Sequence, residues 1–281
     1  MPTPHAPEPW PLPELQRLLP GVHLQARDEV DSTNTRLIDA ARGGLAQPTL
    51  LVAALQTQGR GRSGRSWHSE RGQSLMFSFA RRLAPADWSG LSLAVGVALA
   101  EAVEPLAAAA APRLQLKWPN DLWLADGPAA WRKAGGILIE TTGSADVRTC
   151  VVGVGLNVRP RADHADLSSG YACLQELDAA LDAPSLLLRV APALAAALQR
   201  FERDGLAPFA AGWAARDLLH GRRVVTSGVQ AHEGVADGVD AQGAMRLQTA
   251  RGLVAVHSGE VSVRPSVAAV RGAQAASGAE A

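Results

Sequence analysis

The sequence predicts an α+β protein in which a mixed main domain is followed by a small domain built of strands. Between residues 23 and 220, apolar runs of strand length are interspersed with longer Ala/Leu-rich segments that lack strand alternation. From residue 222 the pattern changes to five short alternating runs separated by glycines, which is typical of an SH3-like barrel. A chain of 281 residues has room for both domains.

Four parts are expected along the chain. They are a lead-in over 1–24, the main domain over 25–220, the small barrel over 221–265 and a disordered tail over 266–281. Prolines interrupt the lead-in, and the tail has the low sequence complexity that is common in disordered termini.

The same patterns place the elements of the main domain. Helices are expected over 31–44, 88–111 with a break at Pro105, 185–204 and 206–219. Strands are expected over 23–30, 49–56, 73–80, 113–118, 121–124, 133–142 and 149–158. In the run that ends at Trp118 the apolar residues alternate with polar ones, so Lys117 should point away from the core.

Charge and composition exclude several function classes. Acidic and basic residues balance at 27 each, so a dominant polyanion-binding role is not expected and we predict no DNA partner. The N-terminus does not resemble a signal peptide, and the apolar stretch over 91–103 is shorter than the ~18 residues of a membrane span. Cys150 and Cys173 are too few for a disulfide framework. These features predict a cytoplasmic protein without a membrane partner.

The scarcity of lysine and asparagine nominates individual positions. Among 27 basic residues only two are lysines, and the chain has three asparagines, a bias that a G/C-rich genome would produce. Arginine readily replaces an exposed lysine, so the lysines and asparagines that remain are candidates for sites where a substitute fails. They are Lys117, Lys133, Asn34, Asn120 and Asn157.

The loop GRGRSGRSW, residues 59–67, has the G-x-G-x-x-G spacing of a dinucleotide-binding turn. Such a turn must open a helix, whereas a serine-rich stretch and a predicted strand follow here. Two arginines occupy the region where an acidic ribose ligand is expected, which keeps an NADP site as an alternative. The glycines instead let the backbone wrap a ligand, with Arg60, Arg62 and Arg65 as donors to carboxylate or phosphate oxygens. A solvated surface turn is the other alternative.

Six segments bring these candidates together in one order. They are DSTN (31–34), QTQGRGRSGRSW (56–67), KWPND (117–121), KAGGILIE (133–140), GVGLN (153–157) and SGEVS (258–262). In this combination, which extends from about residue 25 to 264, they resemble the bacterial biotin protein ligases. All five nominated lysines and asparagines fall inside the segments. Only about 30 residues precede DSTN, so the resemblance is to the monofunctional type without an N-terminal DNA-binding domain.

The resemblance implies a fold and a reaction. The fold would be a mixed, mostly antiparallel sheet with flanking helices, similar to class II aminoacyl-tRNA synthetases, followed by the SH3-like barrel. The reaction would use ATP and Mg²⁺ to form biotinyl-5'-AMP, and then transfer biotin to a lysine of the biotin carboxyl carrier protein. Relatives also form homodimers through the edge of the sheet, and the resemblance allows one here.

The resemblance also implies roles for individual residues. Lys133, Arg60 and Arg62 would be catalytic, because they would neutralise charge on the carboxylate and phosphate. Biotin would be bound by Ser32, Thr33, Asn34, Gln56, Gly59, Arg60, Gly61, Arg62, Trp67, Lys133 and Gly136. ATP would be bound by Arg60, Arg62, Arg65, Trp67, Lys117, Asn120, Asp121 and Asn157. Asp121 would also hold Mg²⁺, and Glu260 would close over ATP or contact the carrier protein.

Several alternatives stay open beside these roles. Ser32 and its neighbours could simply cap a helix, Asp121 could start a hairpin and Asn157 could end a strand. In the loop over 59–67, Ser63 stands where the family often has a further arginine, and Tyr171 lies near where an adenine-stacking aromatic residue is expected. Lipoate ligases and octanoyltransferases resemble the same fold, and a non-catalytic adenylate-binding sensor is a further alternative.

Overall fold

A computed structural model describes residues 10–108, 111–127, 130–143, 148–161, 169–227, 231–257 and 262–265. The main sheet has seven strands, in the spatial order β1-β2-β3-β7-β6-β5-β4. They are β1 (His23–Val30), β2 (Thr49–Gln56), β3 (Ser74–Leu83), β4 (Leu114–Lys117), β5 (Asp121–Ala125), β6 (Trp131–Gly143) and β7 (Arg148–Asn157). Strands β1 and β2 pair in parallel and the other neighbours are antiparallel, which confirms the predicted mixed sheet.

Helices cover both faces of this sheet. They are α1 (Leu12–Leu18), α2 (Thr33–Arg42), α3 (Leu91–Val103), α4 (Ala183–Asp204) and α5 (Ala210–Ala214). On one face, α3 and α4 form the main core with β3 residues such as Phe77 and Phe79. On the other face, α2 packs Leu37 and Ile38 against Leu51 in a smaller cluster. Because helices cover both faces of the sheet, most of β3 is buried. Helix α2 covers only part of its face of the sheet, and a cavity lies on the uncovered part.

Two predicted helices differ from the structure. The helix expected over 88–111 begins at Leu91 and ends at Val103, and a short 3₁₀ turn over Leu106–Ala108 follows the predicted break at Pro105. The helix expected over 206–219 ends at Ala214.

The second difference has a clear cause at the sheet edge. Beyond Ala214 the chain runs alongside β4, where Leu116 N–H donates to the Arg216 carbonyl at 2.8 Å and Leu218 N–H donates to the Leu116 carbonyl at 2.9 Å. These bonds satisfy the free edge of β4 in a way that a continued helix could not. The Arg216 side chain is buried, and it donates to the Leu114 carbonyl and pairs with Glu101.

The C-terminal part forms a separate five-stranded antiparallel sheet, as the alternating runs predict. Its strands are β8 (Arg223–Ser227), β9 (Glu233–Val239), β10 (Met245–Thr249), β11 (Gly252–Val256) and β12 (Ser262–Pro265), in the spatial order β11-β10-β9-β8-β12. The proposed domain boundaries stay predictions. Residues 1–9 of the lead-in, Glu260 and the tail over 266–281 lie outside the described residues.

Two further sequence features fall inside the core. Within the described residues, Leu91–Ala108 is apolar and long enough to cross a membrane by composition, and half of it is buried in the protein. Its helical part, α3, packs against α4 and the sheet. Cys150 and Cys173 are buried free thiols, and burial raises the pKa of Cys150 to about 12.

The turn between β9 and β10 of the C-terminal sheet packs tightly against the main domain. The buried Trp118 indole donates to the Gly243 carbonyl at 3.0 Å. Gly243 has φ +79°, and a Cβ there would lie 2.8 Å from Gly90 Cα at the start of α3. The turn between β9 and β10 therefore fits against Trp118 and α3 with no room for a side chain.

We expect Gly243→Ala to destabilise the protein more than Gly221→Ala does. Both glycines have positive φ, at +79° and +73°, but a Cβ at Gly221 would meet nothing within 4 Å. Both variants should lose about 1 kcal/mol of unfolding free energy through backbone strain. Gly243→Ala should lose a further 1–3 kcal/mol or so through overpacking. Urea unfolding measures both, and equal losses would contradict the tight contact.

Candidate active site

A cavity lies on the open part of the α2 face, where the ends of β2, β5, β6 and β7 meet the loop over 59–67. Most of the sequence-predicted site residues line it: Ser32, Thr33, Asn34, Gln56, Arg60, Gly61, Arg62, Arg65, Trp67, Asn120, Asp121, Lys133 and Gly136. Seven further residues line it that were not predicted from the sequence: Ser66, Ser78, Ile137, Leu138, Gly153, Val154 and Gly155. The structure thus brings six separate parts of the chain to one site.

The N-terminus of α2 forms a polar wall of this cavity. Ser32 is the N-cap residue, and its hydroxyl accepts from the Thr35 N–H at 3.4 Å. The Thr33 N–H donates to Gln56 Oε1 at 2.7 Å, which links α2 to the end of β2. Ser32 therefore both caps α2, as one alternative predicted, and lies in the cavity wall.

Asn34 and Ser78 complete this wall beneath α2. Ser78 Oγ lies 2.7 Å from Thr33 Oγ1 and 2.8 Å from Asn34 Oδ1. Asn34 Nδ2 donates to Glu140 Oε2 at 2.9 Å. These side chains are almost fully buried around the wall, so each polar atom there needs a partner.

The loop over 59–67 folds back on itself between β2 and β3. Trp67 N–H donates to the Gly59 carbonyl at 2.8 Å, and Gly61 N–H donates to the Arg65 carbonyl at 2.7 Å. A Cβ at Gly59 would lie 2.4 Å from the Trp67 carbonyl oxygen, so this fold-back requires glycine. The loop holds a single 3₁₀ turn and leads into β3, and it lacks the following α-helix that a dinucleotide site needs.

A charged cluster faces the polar wall across the cavity. Lys133 Nζ pairs with Asp121 Oδ1 at 2.8 Å, and the Lys133 ammonium lies 6.0 Å from the centre of the Trp67 ring. Arg62 Nη1 donates to Asn120 Oδ1 at 3.2 Å. Burial lowers the pKa of Arg62, and the neighbouring Asp121 opposes this shift.

A bulge in β6 turns Lys133 into the cavity. Leu122 pairs with Gly135 and Trp123 with Lys133, so Ala134 stands outside the register between β5 and β6. Side chains of a regular strand alternate between faces, and one extra residue changes the face of those before it. Lys133 therefore shares the face of Gly136, where a Cβ would lie 3.5 Å from Lys133 Nζ.

Two glycines of β7 form the floor of the cavity. A Cβ at Gly153 would lie 2.3 Å from Asn34 Oδ1, and a Cβ at Gly155 would lie 2.6 Å from Trp67 Cε2. The polar wall and the Trp67 indole thus rest directly on the β7 backbone. The signal was present in the sequence, because glycines two apart in a strand lie on the same face.

Three predicted ligands lie outside the cavity lining. Lys117 Nζ lies 4.2 Å from the centre of the Trp123 ring. Asn157 Nδ2 donates to the carbonyls of Lys133, at 3.2 Å, and Ala172, at 3.0 Å, and so supports the backbone behind Lys133. Gly59 acts through the fold-back of the loop. The predicted ligand roles of all three stay predictions.

Tyr171 is also held in the scaffold. Its hydroxyl donates to the Arg159 carbonyl at 2.7 Å, and burial raises its pKa. Nearby, Arg132 pairs with Glu176 at 2.6 Å and donates to the Tyr171 carbonyl at 2.7 Å. Burial alone would raise the pKa of Glu176, but the bonds from Arg132 lower it. The network fixes the chain beside Lys133.

Comparisons with known proteins agree with this architecture. Models of the Biotin/lipoate A/B protein ligase family and of the Biotin protein ligase C terminal domain match residues 27–157 and 220–264. The chain is 38% identical over 240 residues to the bifunctional ligase/repressor BirA of Salmonella typhimurium, which covers 84% of this chain and 72% of the relative. The chain belongs to the biotin protein ligase family. The biotin--[acetyl-CoA-carboxylase] ligase of Paracoccus denitrificans is 32% identical, over 82% of this chain and 96% of the relative.

The fold comparison gives the same family. A biotin protein ligase from Aquifex aeolicus, solved in complex with biotin and ATP, superposes with a TM-score of 0.73 at 31% identity. The match covers 87% of this chain and 99% of that chain. The α+β fold class and the family that the motifs imply are therefore confirmed.

We expect Gly153→Ala to destabilise this biotin protein ligase more than Gly155→Ala. The first must displace the buried Asn34 from its bonds, which should cost about 1–3 kcal/mol. The second displaces Trp67 in the more exposed loop, which can move. Urea unfolding of the ligand-free variants measures the difference, and the reverse order would contradict the assignment of Asn34 to the fixed wall.

Proposed function

We propose that the protein is an ATP-dependent biotin protein ligase that forms biotinyl-5'-AMP and transfers biotin to a lysine of the biotin carboxyl carrier protein. The observation that carries the proposal is that one cavity holds a neutral polar wall opposite a cationic cluster. Biotin offers the matching chemistry, because its ureido ring is neutral and polar while its other end is a carboxylate. Family membership, and the biotin and ATP bound to the Aquifex aeolicus relative, support the same assignment.

In the first step, a carboxylate oxygen of biotin forms a bond to the α-phosphorus of ATP, and the bond from that phosphorus to the pyrophosphate oxygen breaks. The carboxylate is already ionised, so this step needs no base. It needs positive charge where the carboxylate and phosphate oxygens approach each other. Lys133, Arg62 and Arg60 supply that charge from two sides of the cavity.

Asp121 and Asn120 fit a Mg²⁺ ion that is held mainly by phosphates. Mg²⁺ commonly takes one or two carboxylates, with phosphate and water oxygens as its other ligands. Asp121 offers one carboxylate at the cavity wall, and the described residues contain no cluster of three or more acidic, His or Cys ligands. When bound, the ion would offset phosphate charge, while Lys133 orients the Asp121 carboxylate through their 2.8 Å pair.

In the second step, the amine of the acceptor lysine forms a bond to the acyl carbon of biotinyl-AMP. The bond from that carbon to the phosphate oxygen breaks, AMP leaves, and the nitrogen loses one proton as the amide forms. The lid loop over 59–67 must hold the adenylate until the carrier protein arrives. Arg62 bridges the loop to the Asn120 side of the cavity, and Trp67 lies on Gly155, so both can keep the lid closed over the ligand.

The polar wall favours biotin over a lipoyl or octanoyl group. Ser78, Thr33 and Asn34 form a buried hydrogen-bonding surface. They bond to one another, but their hydroxyl and amide groups can accept or donate further hydrogen bonds, which an alkyl chain or dithiolane ring cannot supply. A ureido group donates through two N–H groups and accepts through its carbonyl, so the wall favours a polar ring.

The remaining assignments rest on the proposed reaction. We propose a cytoplasmic location, which agrees with the use of ATP and with two buried free thiols. The absence of a DNA partner and the formation of a homodimer stay predictions. Mass photometry with and without biotin and ATP tests the dimer.

The proposed function predicts pyrophosphate release that depends on biotin. The purified chain, ATP and Mg²⁺ should release pyrophosphate when biotin is added, and not when lipoate is added. Adding a biotin carboxyl carrier domain should then yield a biotinylated lysine by mass spectrometry. Release with lipoate would identify a lipoate ligase, and release with neither would support a sensor.

Lys133→Ala should abolish adenylate formation while the fold stays intact. The variant loses the charge next to the reacting oxygens, and losing one such donor typically costs about 10²–10³ in rate. Biotin-dependent pyrophosphate release measures the effect, and circular dichroism checks the fold. Activity within a few-fold of wild type would show that the assignment of Lys133 is wrong.

Arg62→Gly should form adenylate but fail to retain it. The lid would lose the bond to Asn120, so biotinyl-AMP should escape and label lysines of a bystander protein such as serum albumin. Arg71→Gly is the matched control, since Arg71 lies in the same connection between β2 and β3 and pairs with Asp28 outside the cavity. Equal bystander labelling by both variants would count against the lid role of Arg62.

A further inference from the structure

Glu140 of β6 connects the lid to the polar wall; it is the last residue of the KAGGILIE segment, and it is not among the site residues predicted from the sequence. Its Oε1 accepts from Arg60 Nη2 at 2.9 Å, and its Oε2 accepts from Arg60 Nη1 at 3.2 Å. Oε2 also accepts from Asn34 Nδ2 at 2.9 Å. One carboxylate therefore holds the first arginine of the lid and an amide of the polar wall at the same time.

The carboxylate supports Arg60 from outside the cavity. Arg60 and Asn34 line the cavity, whereas Glu140 does not. A two-point contact between a carboxylate and a guanidinium fixes the plane of the guanidinium. A guanidinium has five N–H donors. Glu140 accepts from two nitrogens of Arg60, and Thr35 Oγ1 accepts from Nη1 at 3.4 Å, so the Nε N–H and one N–H of Nη2 remain for a ligand.

The arrangement needs a carboxylate and not merely a polar side chain. Three donor contacts converge on the two oxygens of Glu140, two from Arg60 and one from Asn34. Glutamine would replace one oxygen by an NH₂ group, which would face a donor of Arg60 or of Asn34. Aspartate keeps the charge but is one methylene shorter on the same strand.

We propose that Glu140 is a positioning residue that orients Arg60 of the lid toward the biotinyl-adenylate. This inference rests on the proposed ligase function, because the adenylate is the ligand that Arg60 would hold. One alternative is that the pair is a half-exposed ion pair that contributes little. Another is that Glu140 competes with the ligand for Arg60. For Glu140→Gln, the proposal and these two alternatives predict faster, unchanged and slower loss of the adenylate, respectively.

The test measures how fast preformed biotinyl-AMP leaves the full-length enzyme. Wild-type protein is first shown to release pyrophosphate in a biotin-dependent manner. Labelled adenylate is then formed on the enzyme and chased with unlabelled biotin and ATP. For Glu140→Gln we expect loss about tenfold faster than wild type, as for the loss of one charge-assisted hydrogen bond. Glu233→Gln is the control, since it makes the same change in the exposed Arg223 pair of the C-terminal sheet.

A double-mutant cycle separates positioning from a general effect on structure. If Glu140 acts through Arg60, adding Glu140→Gln to Arg60→Gln should change the loss rate by less than about twofold. If Glu140→Gln lowers the unfolding midpoint more than the control does, Glu140→Asp takes its place in the same cycle. We again expect Glu140→Asp to lose the adenylate faster than wild type, and to have no such effect when it is combined with Arg60→Gln.

The outcomes distinguish this inference from the proposed function. An inactive wild-type protein would overturn the proposed function. An active wild-type protein with an unchanged loss rate in the variant would overturn the role of Glu140 alone. Slower loss in the variant would show competition for Arg60 and would overturn it too, as would full additivity with Arg60→Gln.

Discussion

The site depends on two positions of β7 where a hydrogen atom stands in place of a side chain. Gly153 lets Asn34 lie against the strand, and Gly155 lets the Trp67 indole do the same. The residues between and beside them, such as Val152 and Val154, face the opposite way into the main core. The valines of β7 thus pack into the main core on one face of the sheet. On the other face, Gly153 and Gly155 have no side chains, which leaves space for Asn34 of the wall and Trp67 of the lid. Neither wall nor lid could reach its position above a strand with larger residues.

The charged side of the cavity depends on a second local feature, the bulge at Ala134. Without it, Lys133 would lie on the face of the buried core, where an ammonium without a partner is costly. With it, Lys133 meets Asp121 at 2.8 Å and the pair stays partly open to solvent. A substrate carboxylate or phosphate then enters an environment that already contains positive groups, and little reorganisation is required.

The sequence predicted the strands and helices well where the apolar pattern and the flanking turn residues agreed. It predicted the site residues where several polar or charged residues fall within one short motif. The strands over 23–30 and 49–56 have the predicted bounds, because turn residues flank both. Ser78 and Glu140 escaped because each sits within an apolar strand, and only the order β3-β7-β6 places them beside α2. Strand order is a long-range property that no local pattern contains. The helix predicted to reach residue 219 failed for the same reason, since its end is set by the edge of β4.

The segment KWPND shows that neighbouring letters of one motif can serve different parts of the protein. Trp118 points into the core and donates to Gly243 of the C-terminal sheet, while Lys117 lies over Trp123 on the other side of the strand. Asn120 and Asp121 line the cavity. The turn between β9 and β10 therefore holds the Trp118 side chain of this segment, although it contributes no cavity residue itself. The described part of the C-terminal sheet thus reaches the site through Trp118, because a shift at Gly243 would be passed along the chain from Trp118 to Asp121, three residues further on.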